Sequence, residues 1–214
     1  DVGFDENKIF IVPNGISFEP WNEEQFFEKE QEPTFIYVGR YASYKGIDAA
    51  VEAIGMLKKD YPKAKLWILG KRNDEYIENV LKPISDKYQL NWGDSGNEGD
   101  IITWGFVSEE KKLELISRAT ALVFPSIREG WGIPITEAGN VGTPSIVYDS
   151  PGIRDAVDYG NVGLKGYFLS AGNYPTDTSE WKPFDSNNKA VETQRAGTYF
   201  IWAKNNKNIM SNSV

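Results

Sequence analysis

Two glutamates, Glu129 and Glu137, stand with seven residues between them in the most chemically suggestive stretch of the chain, residues 126–137. Glycines follow Glu129 and let backbone N–H groups approach a ligand closely. A helix predicted to begin near Pro134 adds partial positive charge suited to a phosphate, and a loop carboxylate can accept hydrogen bonds from sugar hydroxyls. The stretch predicts a phosphate- and sugar-binding loop. The alternative is a tight strand–turn–helix joint in which Glu137 only complements the helix dipole.

A second group of chemically useful residues surrounds Gly39, at the end of the first predicted strand. Arg40 follows at once, and Lys45 precedes the next predicted helix. A guanidinium offers a planar fork that matches phosphate oxygens and an ammonium offers a compact charge, so the pair can clamp a diphosphate. The alternative is a solvated loop with ordinary surface charges.

A third feature closes a later strand at residues 103–107. Ligands bind at the ends of strands in open parallel sheets, so Trp104 and Gly105 predict one wall of a pocket for a flat base. An aromatic corner packed into the core is an equally good interpretation, because large aromatic side chains are mostly buried.

The composition removes several classes of chemistry. Histidine and cysteine are absent from the 214 residues, which excludes an imidazole base, a disulfide, a thiolate zinc site and a cysteine nucleophile within this sequence. The formal net charge is −8, and an acidic surface repels a phosphate backbone, so nucleic-acid binding is not expected. A cysteine-free chain is compatible with a reducing compartment, and the cytoplasm is the expected location.

The elements that position these residues alternate along the chain from Pro33 onward. Short β-rich runs predict six strands, over residues 34–38, 65–69, 100–104, 121–124, 144–148 and 166–169. Apolar spacing and capping signals predict helices over 47–58, 73–88 and 108–119, a helix with Pro134 as its first residue, and a short helix over 153–157. This alternation is typical of a parallel sheet covered on both faces. The predicted fold class is therefore α/β, a Rossmann-like, three-layer, doubly wound parallel sheet.

Three parts of the chain follow from this pattern. Residues 1–32, with the apolar run Ile9–Val12, are interpreted as an inter-domain connection, residues 33–170 as the Rossmann-like domain, and residues 171–214 as a variable loop with a C-terminal helix at about 190–210. No run approaches the roughly eighteen apolar residues that a membrane-spanning helix needs. Because the first residue is Asp1 and no signal peptide is evident, a fragment of a longer chain is expected.

Five segments of the sequence carry a family resemblance. They are Val12-Pro13-Asn14-Gly15, Val38-Gly39-Arg40 with Lys45-Gly46, Phe124-Pro125-Ser126, the block Glu129–Glu137, and Gly142–Ile146. Together they resemble the C-terminal domain of family 4 glycosyltransferases, a large retaining group with the two-Rossmann GT-B architecture. The resemblance covers residues 9 to about 165, and the double-glutamate block is its most specific part. It implies one half of a GT-B architecture, the half that binds a nucleotide sugar.

The resemblance also implies roles for single residues. In the family's pattern the basic residues of the first loop hold the donor diphosphate, the first glutamate contacts the sugar, and the second contacts the ribose. The matching positions are Arg40, Lys45 and Glu129, which are the expected catalytic residues, and Glu137. Main-chain groups are expected to line the sugar and phosphate site at Gly130, Trp131, Gly132 and Ile133. The other expected nucleotide contacts are Gly39, Trp104 and Gly105.

Competing nucleotide and metal motifs are missing from the sequence. The dinucleotide fingerprint Gly-x-Gly-x-x-Gly begins at Gly130 but fails at Ile135. No Gly-x-x-x-x-Gly-Lys-Ser/Thr motif is present, and no two aspartates stand two positions apart, as in the Asp-x-Asp motif typical of metal-dependent glycosyltransferases. We therefore expect neither a dinucleotide dehydrogenase nor a P-loop hydrolase, and no metal.

The implied activity is that of a retaining, metal-independent hexosyltransferase of polysaccharide or glycoconjugate biosynthesis. Its donor substrate is expected to be a UDP- or GDP-hexose, with no cofactor. The acceptor is expected on a missing N-terminal domain, which also leaves peripheral membrane association open, and the fragment alone is expected to be inactive. The alternative function is a non-catalytic module that binds a nucleotide sugar or a partner protein.

Overall fold

The structure, a computed structural model, describes residues 14–19, 21–95, 98–148, 150–159 and 167–169. Three sequence predictions lie outside these residues: the apolar run Ile9–Val12, the polar segment 171–189 and the helix at 190–210.

The described residues form one parallel sheet of seven strands. The strands are β1 (Thr34–Val38), β2 (Lys65–Leu69), β3 (Trp92–Asp94), β4 (Ile101–Gly105), β5 (Ala121–Phe124), β6 (Ser145–Tyr148) and β7 (Tyr167–Leu169). Their order is β3-β4-β2-β1-β5-β6-β7, and every neighbouring pair is parallel. The predicted α/β, doubly wound architecture is confirmed.

Helices connect the strands. They are α1 (Ile47–Leu57), α2 (Asp74–Tyr76), α3 (Lys82–Tyr88), α4 (Glu109–Arg118), α5 (Ile133–Asn140) and α6 (Ile153–Tyr159). The single helix predicted over 73–88 contains a π-helical turn at Ile77–Leu81, just before Pro83. Proline cannot donate the N–H bond that a regular α-helix needs, and the wider turn lies directly upstream of it. Within the described ranges no helix is both long and apolar enough to cross a membrane.

The boundaries of the other elements agree with the sequence to within about two residues, as is usual for helix and strand ends. The strand predicted over 100–104 lies one residue later, as β4, and Pro134 is the second rather than the first residue of α5. Strand β3 was not predicted, because it has only three residues, Gly93 is its centre, and it pairs only with β4. So short a run shows no alternation of apolar and polar residues.

Two apolar clusters cover the two faces of the sheet because successive strand residues point to opposite sides. In β1, Ile36 packs with α4, α5 and α6, whereas Tyr37 packs with α1 and the helical stretch from α2 to α3. Strand β2 divides in the same way, with Trp67 on the first face and Ile68 on the second. The two clusters thereby pack the helices onto both faces of the sheet.

Residues 21–31 pack on the domain that they precede. Trp21 packs against the first cluster, and its N–H donates to the carbonyl oxygen of Asn140 at 3.3 Å. The N–H of Phe27 donates to the hydroxyl of Ser117 at 3.0 Å. This part of the predicted inter-domain connection therefore lies against the helices and the amino ends of the strands.

Candidate functional site

The order of the strands reverses at β1, which lies between β2 and β5. The chain builds one half of the sheet from β1 to β4, and the other half from β5 outward. In open parallel sheets a ligand binds beyond the carboxyl ends of the strands, in the crevice where this reversal occurs. The loops that leave β1 and β5 therefore flank the expected position of a ligand.

Backbone contacts hold the loop after β1 in place. The Tyr37 hydroxyl donates a hydrogen bond to the carbonyl oxygen of Arg40 at 2.8 Å. A 3-10 turn over Ser43–Lys45 leads to Gly46, whose φ of +70° is the left-handed conformation that favours glycine. A Cβ on Gly46 would lie 2.1 Å from the carbonyl oxygen of Pro125. The loops after β1 and β5 are thus in direct backbone contact.

Tyr44 fastens the loop after β5 to the loop after β1. Its carbonyl oxygen accepts hydrogen bonds from the N–H of Ile127 at 3.0 Å and from the hydroxyl of Ser126 at 3.1 Å. The loop after β6 reaches the same place, since a Cβ on Gly152 would lie 2.5 Å from the carbonyl oxygen of Glu129. Three loops therefore converge at the carboxyl edge with their spacing fixed.

An ion pair between Lys45 and Glu129 bridges two of these loops. The ammonium nitrogen lies 2.5 Å from a carboxylate oxygen, and the two side chains are 14% and 12% exposed. The ammonium also lies 5.4 Å from the centroid of the Tyr44 ring, within cation–π range. Burial raises the pKa of Tyr37, and the negative charge of Glu129 adds to that rise. The fold thus brings together two predicted site residues that are 84 positions apart in the chain.

Arg40 is the second basic residue of the first loop, and it is exposed. Its guanidinium carbon lies 6.0 Å from the Tyr44 ring centroid, and no ion pair joins it to another described residue. Tyr44 therefore stands beside both basic side chains. An exposed guanidinium presents a donor fork to an incoming phosphate, whereas the Lys45 ammonium is already engaged.

Gly39 takes part in the hydrogen bonding of the sheet rather than in an open loop. Its N–H donates to the carbonyl oxygen of Leu69 at 2.9 Å, which extends the β1–β2 ladder by one residue. A Cβ on Gly70 would lie 2.0 Å from the carbonyl oxygen of Gly39, so the two strand ends touch through their backbones. The N–H of Gly39 is consequently occupied.

The backbone that follows Glu129 is open. A Cβ on Gly130 would meet no described atom within 4 Å, and Ile133 is 45% exposed. Gly132, with φ of +96°, is the N-cap of α5, and Trp131 packs against the first cluster. The N-terminus of α5 therefore borders open space beside the Lys45–Glu129 pair.

Glu137 belongs to a different ion cluster, between α4 and α5. Its carboxylate lies 2.8 Å from the ammonium of Lys112, which also pairs with Glu109 at 2.8 Å. Glu137 is only 5% exposed, and burial raises its pKa against the opposing effect of Lys112. Burial acts to lower the pKa of Lys112, but hydrogen bonds to Glu109 and Glu137 raise it above the ordinary lysine value. The second glutamate of the block is therefore held by a protein cation.

Trp104 lies at the end of β4 and is half-buried. Its ring meets Trp67 edge-on with centroids 5.6 Å apart, and the ammonium of Lys111 lies 5.4 Å from its centroid. These contacts fit an aromatic corner packed on the core. The next residue, Gly105, has φ of +68° and no described atom within 4 Å of an added Cβ, and Phe106 is 90% exposed. Open surface therefore begins at Gly105.

Sequence reasoning missed Tyr44 and Lys112. The spacing of Glu109 and Lys112 indicates an ion pair along one helix, but the contact with Glu137 depends on how α4 packs on α5. No sequence signal marks Tyr44, whose backbone carbonyl, rather than its side chain, joins the two loops.

Comparison with known proteins places the chain among glycosyltransferases. The sequence profile of the family described as Glycosyl transferases group 1 matches residues 19–175. An uncharacterized glycosyltransferase of Methanocaldococcus jannaschii is 28% identical over 174 residues, with 76% of this chain and 42% of that protein covered. Mannosylfructose-phosphate synthase of Agrobacterium fabrum is 26% identical, with 76% of this chain and 34% of that protein covered. The chain thus spans well under half the length of these relatives.

Solved structures share the fold. A mutant of S. aureus TarM in complex with fondaparinux, α-GlcNAc-glycerol and UDP gives a TM-score of 0.57 at 18% identity, with 77% of this chain and 30% of that chain covered. Anabaena HepE in complex with UDP-glucose gives 0.52 at 18% identity, with 64% and 35% covered. These neighbours are GT-B glycosyltransferases, and the described sheet is one Rossmann-like half of that architecture. Because the family profile covers more than half of its residues, the chain belongs to the group 1 glycosyltransferase family.

Proposed function

We propose that this chain is the donor-binding part of a retaining glycosyltransferase that transfers a hexose from a nucleoside-diphosphate sugar. The observation that carries the proposal is the Lys45–Glu129 pair at the reversal point of the sheet, with Arg40 exposed on the same loop as Lys45. The Arg40 guanidinium carbon and the Lys45 ammonium lie 6.0 Å and 5.4 Å from the Tyr44 ring centroid. A guanidinium, an ammonium and a carboxylate on these adjoining loops match the diphosphate and the sugar of such a donor.

The proposed chemistry depends on stabilising a leaving diphosphate. As the bond between the sugar and the diphosphate breaks, negative charge grows on the phosphate oxygens. Preorganised positive groups stabilise that charge most when they need not move during the reaction. Arg40 and the N-terminus of α5 supply such groups, and Lys45 adds its charge when the donor competes with Glu129 for it, so we propose that no metal is needed.

The same arrangement of residues suggests where the sugar and the ribose of the donor bind. The open backbone at Gly130 and the carboxylate of Glu129 are proposed to face the sugar. Glu137 is proposed to face the ribose, with Lys112 keeping its charge. The names of two structural neighbours, bound to UDP and to UDP-glucose, support a nucleoside-diphosphate sugar as the substrate class.

The acceptor is proposed to bind to a further domain. The relatives are more than twice as long as the matched region, and closure of two Rossmann units would exclude the water that otherwise intercepts the activated sugar. Residues 1–214 alone are therefore proposed to bind the donor without useful transfer. The proposed compartment is the cytoplasm, since a chain without cysteine needs no oxidising environment.

The test is calorimetric titration of residues 1–214 with UDP, GDP, UDP-glucose and GDP-mannose, with and without EDTA. The Arg40→Ala/Lys45→Ala double variant should bind the diphosphate at least about tenfold more weakly, or about 1.4 kcal/mol, because two charge-assisted contacts are lost. A matched control is Lys63→Ala, which removes an exposed lysine paired with Glu32 elsewhere on the domain. EDTA should leave every affinity unchanged.

Unchanged affinity in the double variant would remove both residues from the site. Absence of nucleotide binding in the unmodified chain would favour the partner-binding module instead.

A further inference from the structure

The Lys45–Glu129 ion pair places a carboxylate where the proposed function needs a phosphate. The two charged groups are 2.5 Å apart and almost nine-tenths buried. They cannot drift apart with their loops, because Tyr44 ties the two loops through hydrogen bonds to Ile127 and Ser126. The charge of Lys45 is thus largely offset by Glu129, and an entering phosphate competes with that carboxylate for the donors of the ammonium.

On this basis, and resting on the proposed function, we infer that Glu129 is the specificity-determining residue that makes the site prefer an intact nucleotide sugar to the free nucleoside diphosphate. A bare diphosphate competes with the Glu129 carboxylate for Lys45, and where it displaces that carboxylate it leaves a partly buried charge with no new partner. A partly buried charge without a partner is costly. A nucleotide sugar displaces the same carboxylate but offers it sugar hydroxyls as hydrogen-bond donors.

The same exchange favours release of the product. Once the hexose has left, Glu129 has lost its sugar hydroxyls while Lys45 still lies within reach. Re-formation of the ion pair then competes with the diphosphate for Lys45. Arg40 does not take part in this competition, because it is exposed and has no carboxylate partner among the described residues. Arg40 can therefore bind a phosphate directly, whereas Lys45 binds one only in competition with Glu129.

The inference predicts an unusual gain of affinity. Glu129→Gln keeps the side-chain volume and removes the charge, so Lys45 becomes available. UDP or GDP should bind Glu129→Gln about threefold more tightly or better, the range expected for loss of a partly screened ion pair. UDP-glucose or GDP-mannose should bind with equal or lower affinity, so the ratio of donor to diphosphate affinity should fall. UMP and GMP, which carry one phosphate fewer, should gain less.

The experiment is calorimetric titration of residues 1–214 and its variants with UDP, UMP and UDP-glucose, and with GDP, GMP and GDP-mannose. Glu28→Gln is the matched control, since it removes one exposed acid from residues that pack at the opposite edge of the sheet. Glu129→Asp is a second variant that keeps the charge but shortens its reach to Lys45. It should gain less diphosphate affinity than Glu129→Gln. Circular dichroism of each variant confirms folding.

The outcomes separate this inference from the proposed function. If the unmodified chain binds diphosphate through Arg40 and Lys45 but Glu129→Gln binds it no more tightly, the inference is wrong and the proposed function stands. The inference is equally wrong if Glu28→Gln gives the same gain, because the effect would then be one of net charge. If the unmodified chain binds none of the nucleotides, both fail.

Discussion

Each edge of the sheet holds a lysine that joins separate segments, and the two lysines differ in what they bind. At the carboxyl edge Lys45 pairs with the carboxylate of Glu129. At the amino edge Lys29 donates to the carbonyl oxygen of Ala119 at 2.8 Å and to the hydroxyl of Thr143 at 2.7 Å. A phosphate can compete with a carboxylate for an ammonium. The carbonyl of Ala119 and the hydroxyl of Thr143 instead belong to buried residues, which a ligand does not displace. The first contact suits exchange with a ligand and the second suits permanence.

The two edges also differ in the contacts that surround Lys29 and Lys45. At the amino edge, Glu30 donates its N–H to the carbonyl oxygen of Arg118 at 2.9 Å and pairs with that guanidinium at 2.5 Å. At the carboxyl edge, glycines bring the backbones of the loops together, and Gly130 and Gly105 leave space beside them. The amino edge is thus held by side-chain contacts around an open cavity of about 580 Å³ that Lys29, Glu30 and Arg118 help to line. The carboxyl edge is held by backbone proximity, with the predicted charged residues beside its glycines.

The largest expected effect tests whether the carboxyl edge depends on backbone proximity. Gly46→Ala combines a left-handed φ of +70° with a Cβ 2.1 Å from the carbonyl oxygen of Pro125. Urea unfolding should show a loss of about 3 kcal/mol or more, because backbone cannot move aside as a flexible side chain can. Gly130→Ala is the matched control in the same site, since no described atom lies within 4 Å of its Cβ. It should stay within about 1 kcal/mol of the unmodified chain.

Equal losses in the two glycine variants would contradict the view that the loops after β1 and β5 are locked together. Equal tolerance of both would show that the loops can separate, and the comparison of the two edges would lose its structural basis.

The next effect concerns a third lysine, Lys112, which pairs with Glu137 between the early turns of α4 and α5. Lys112→Met leaves the carboxylate of Glu137 buried without its cation, and at pH 7 it should lower the free energy of unfolding by about 2 kcal/mol. Burial already raises the pKa of Glu137, so the folded state binds that proton more tightly than the unfolded chain does. The loss should therefore shrink as the pH falls towards 5, because protonation removes the unpaired charge.

The matched control for this variant is Lys82→Met. It breaks an exposed pair with Glu78, four residues earlier on the same helical stretch, and should cost no more than about 0.5 kcal/mol at any pH. A Lys112→Met loss as small as that of the control, or one that does not change with pH, would mean that Glu137 needs no cation.

The sequence predicts the positions of the site better than its contacts. Arg40, Lys45 and Glu129 each follow a strand whose β-rich run is evident, and parallel strands bring their carboxyl ends to one edge. Their meeting at the carboxyl edge was therefore predictable. That Lys45 and Glu129 pair with each other was not, since the pair depends on the Tyr44 carbonyl that sets the spacing of the loops.

Elements defined by tertiary contacts escaped prediction for the same reason. Strand β3 exists because its three residues pair with β4. The π turn at Ile77–Leu81, by contrast, lies directly before Pro83 in a helical stretch whose residues are mostly exposed or half-buried. The burial of Glu137 likewise results from the packing of α4 on α5. Local propensity carries none of this information, whereas the periodicity of the long helices and strands does.

The smallest expected effect belongs to Lys29 at the amino edge of the sheet. Burial lowers its pKa to about 7 from an ordinary 10.5, although the residue as a whole is exposed, because its ammonium turns inward. Above pH 7 the unfolded chain therefore binds more protons than the folded one, and stability should rise with pH. The slope is about 1.4 kcal/mol per pH unit where the unfolded chain binds one whole proton more. Solvent screening of an exposed residue narrows the pKa difference, so we expect an average of about 0.5 kcal/mol per pH unit between pH 7 and 9.

Urea unfolding at pH 7, 8 and 9 should therefore show the unmodified chain gaining stability relative to Lys29→Met, in which the titrating group is gone. Lys63→Met, which removes an exposed lysine, should follow the unmodified chain. Parallel pH profiles for the unmodified chain and Lys29→Met would assign the rise to another group. The amino edge would then hold Lys29 as an ordinary ammonium, and the two edges would differ in the partners of their lysines alone. A diverging profile would instead show that the amino edge holds Lys29 at the cost of a proton.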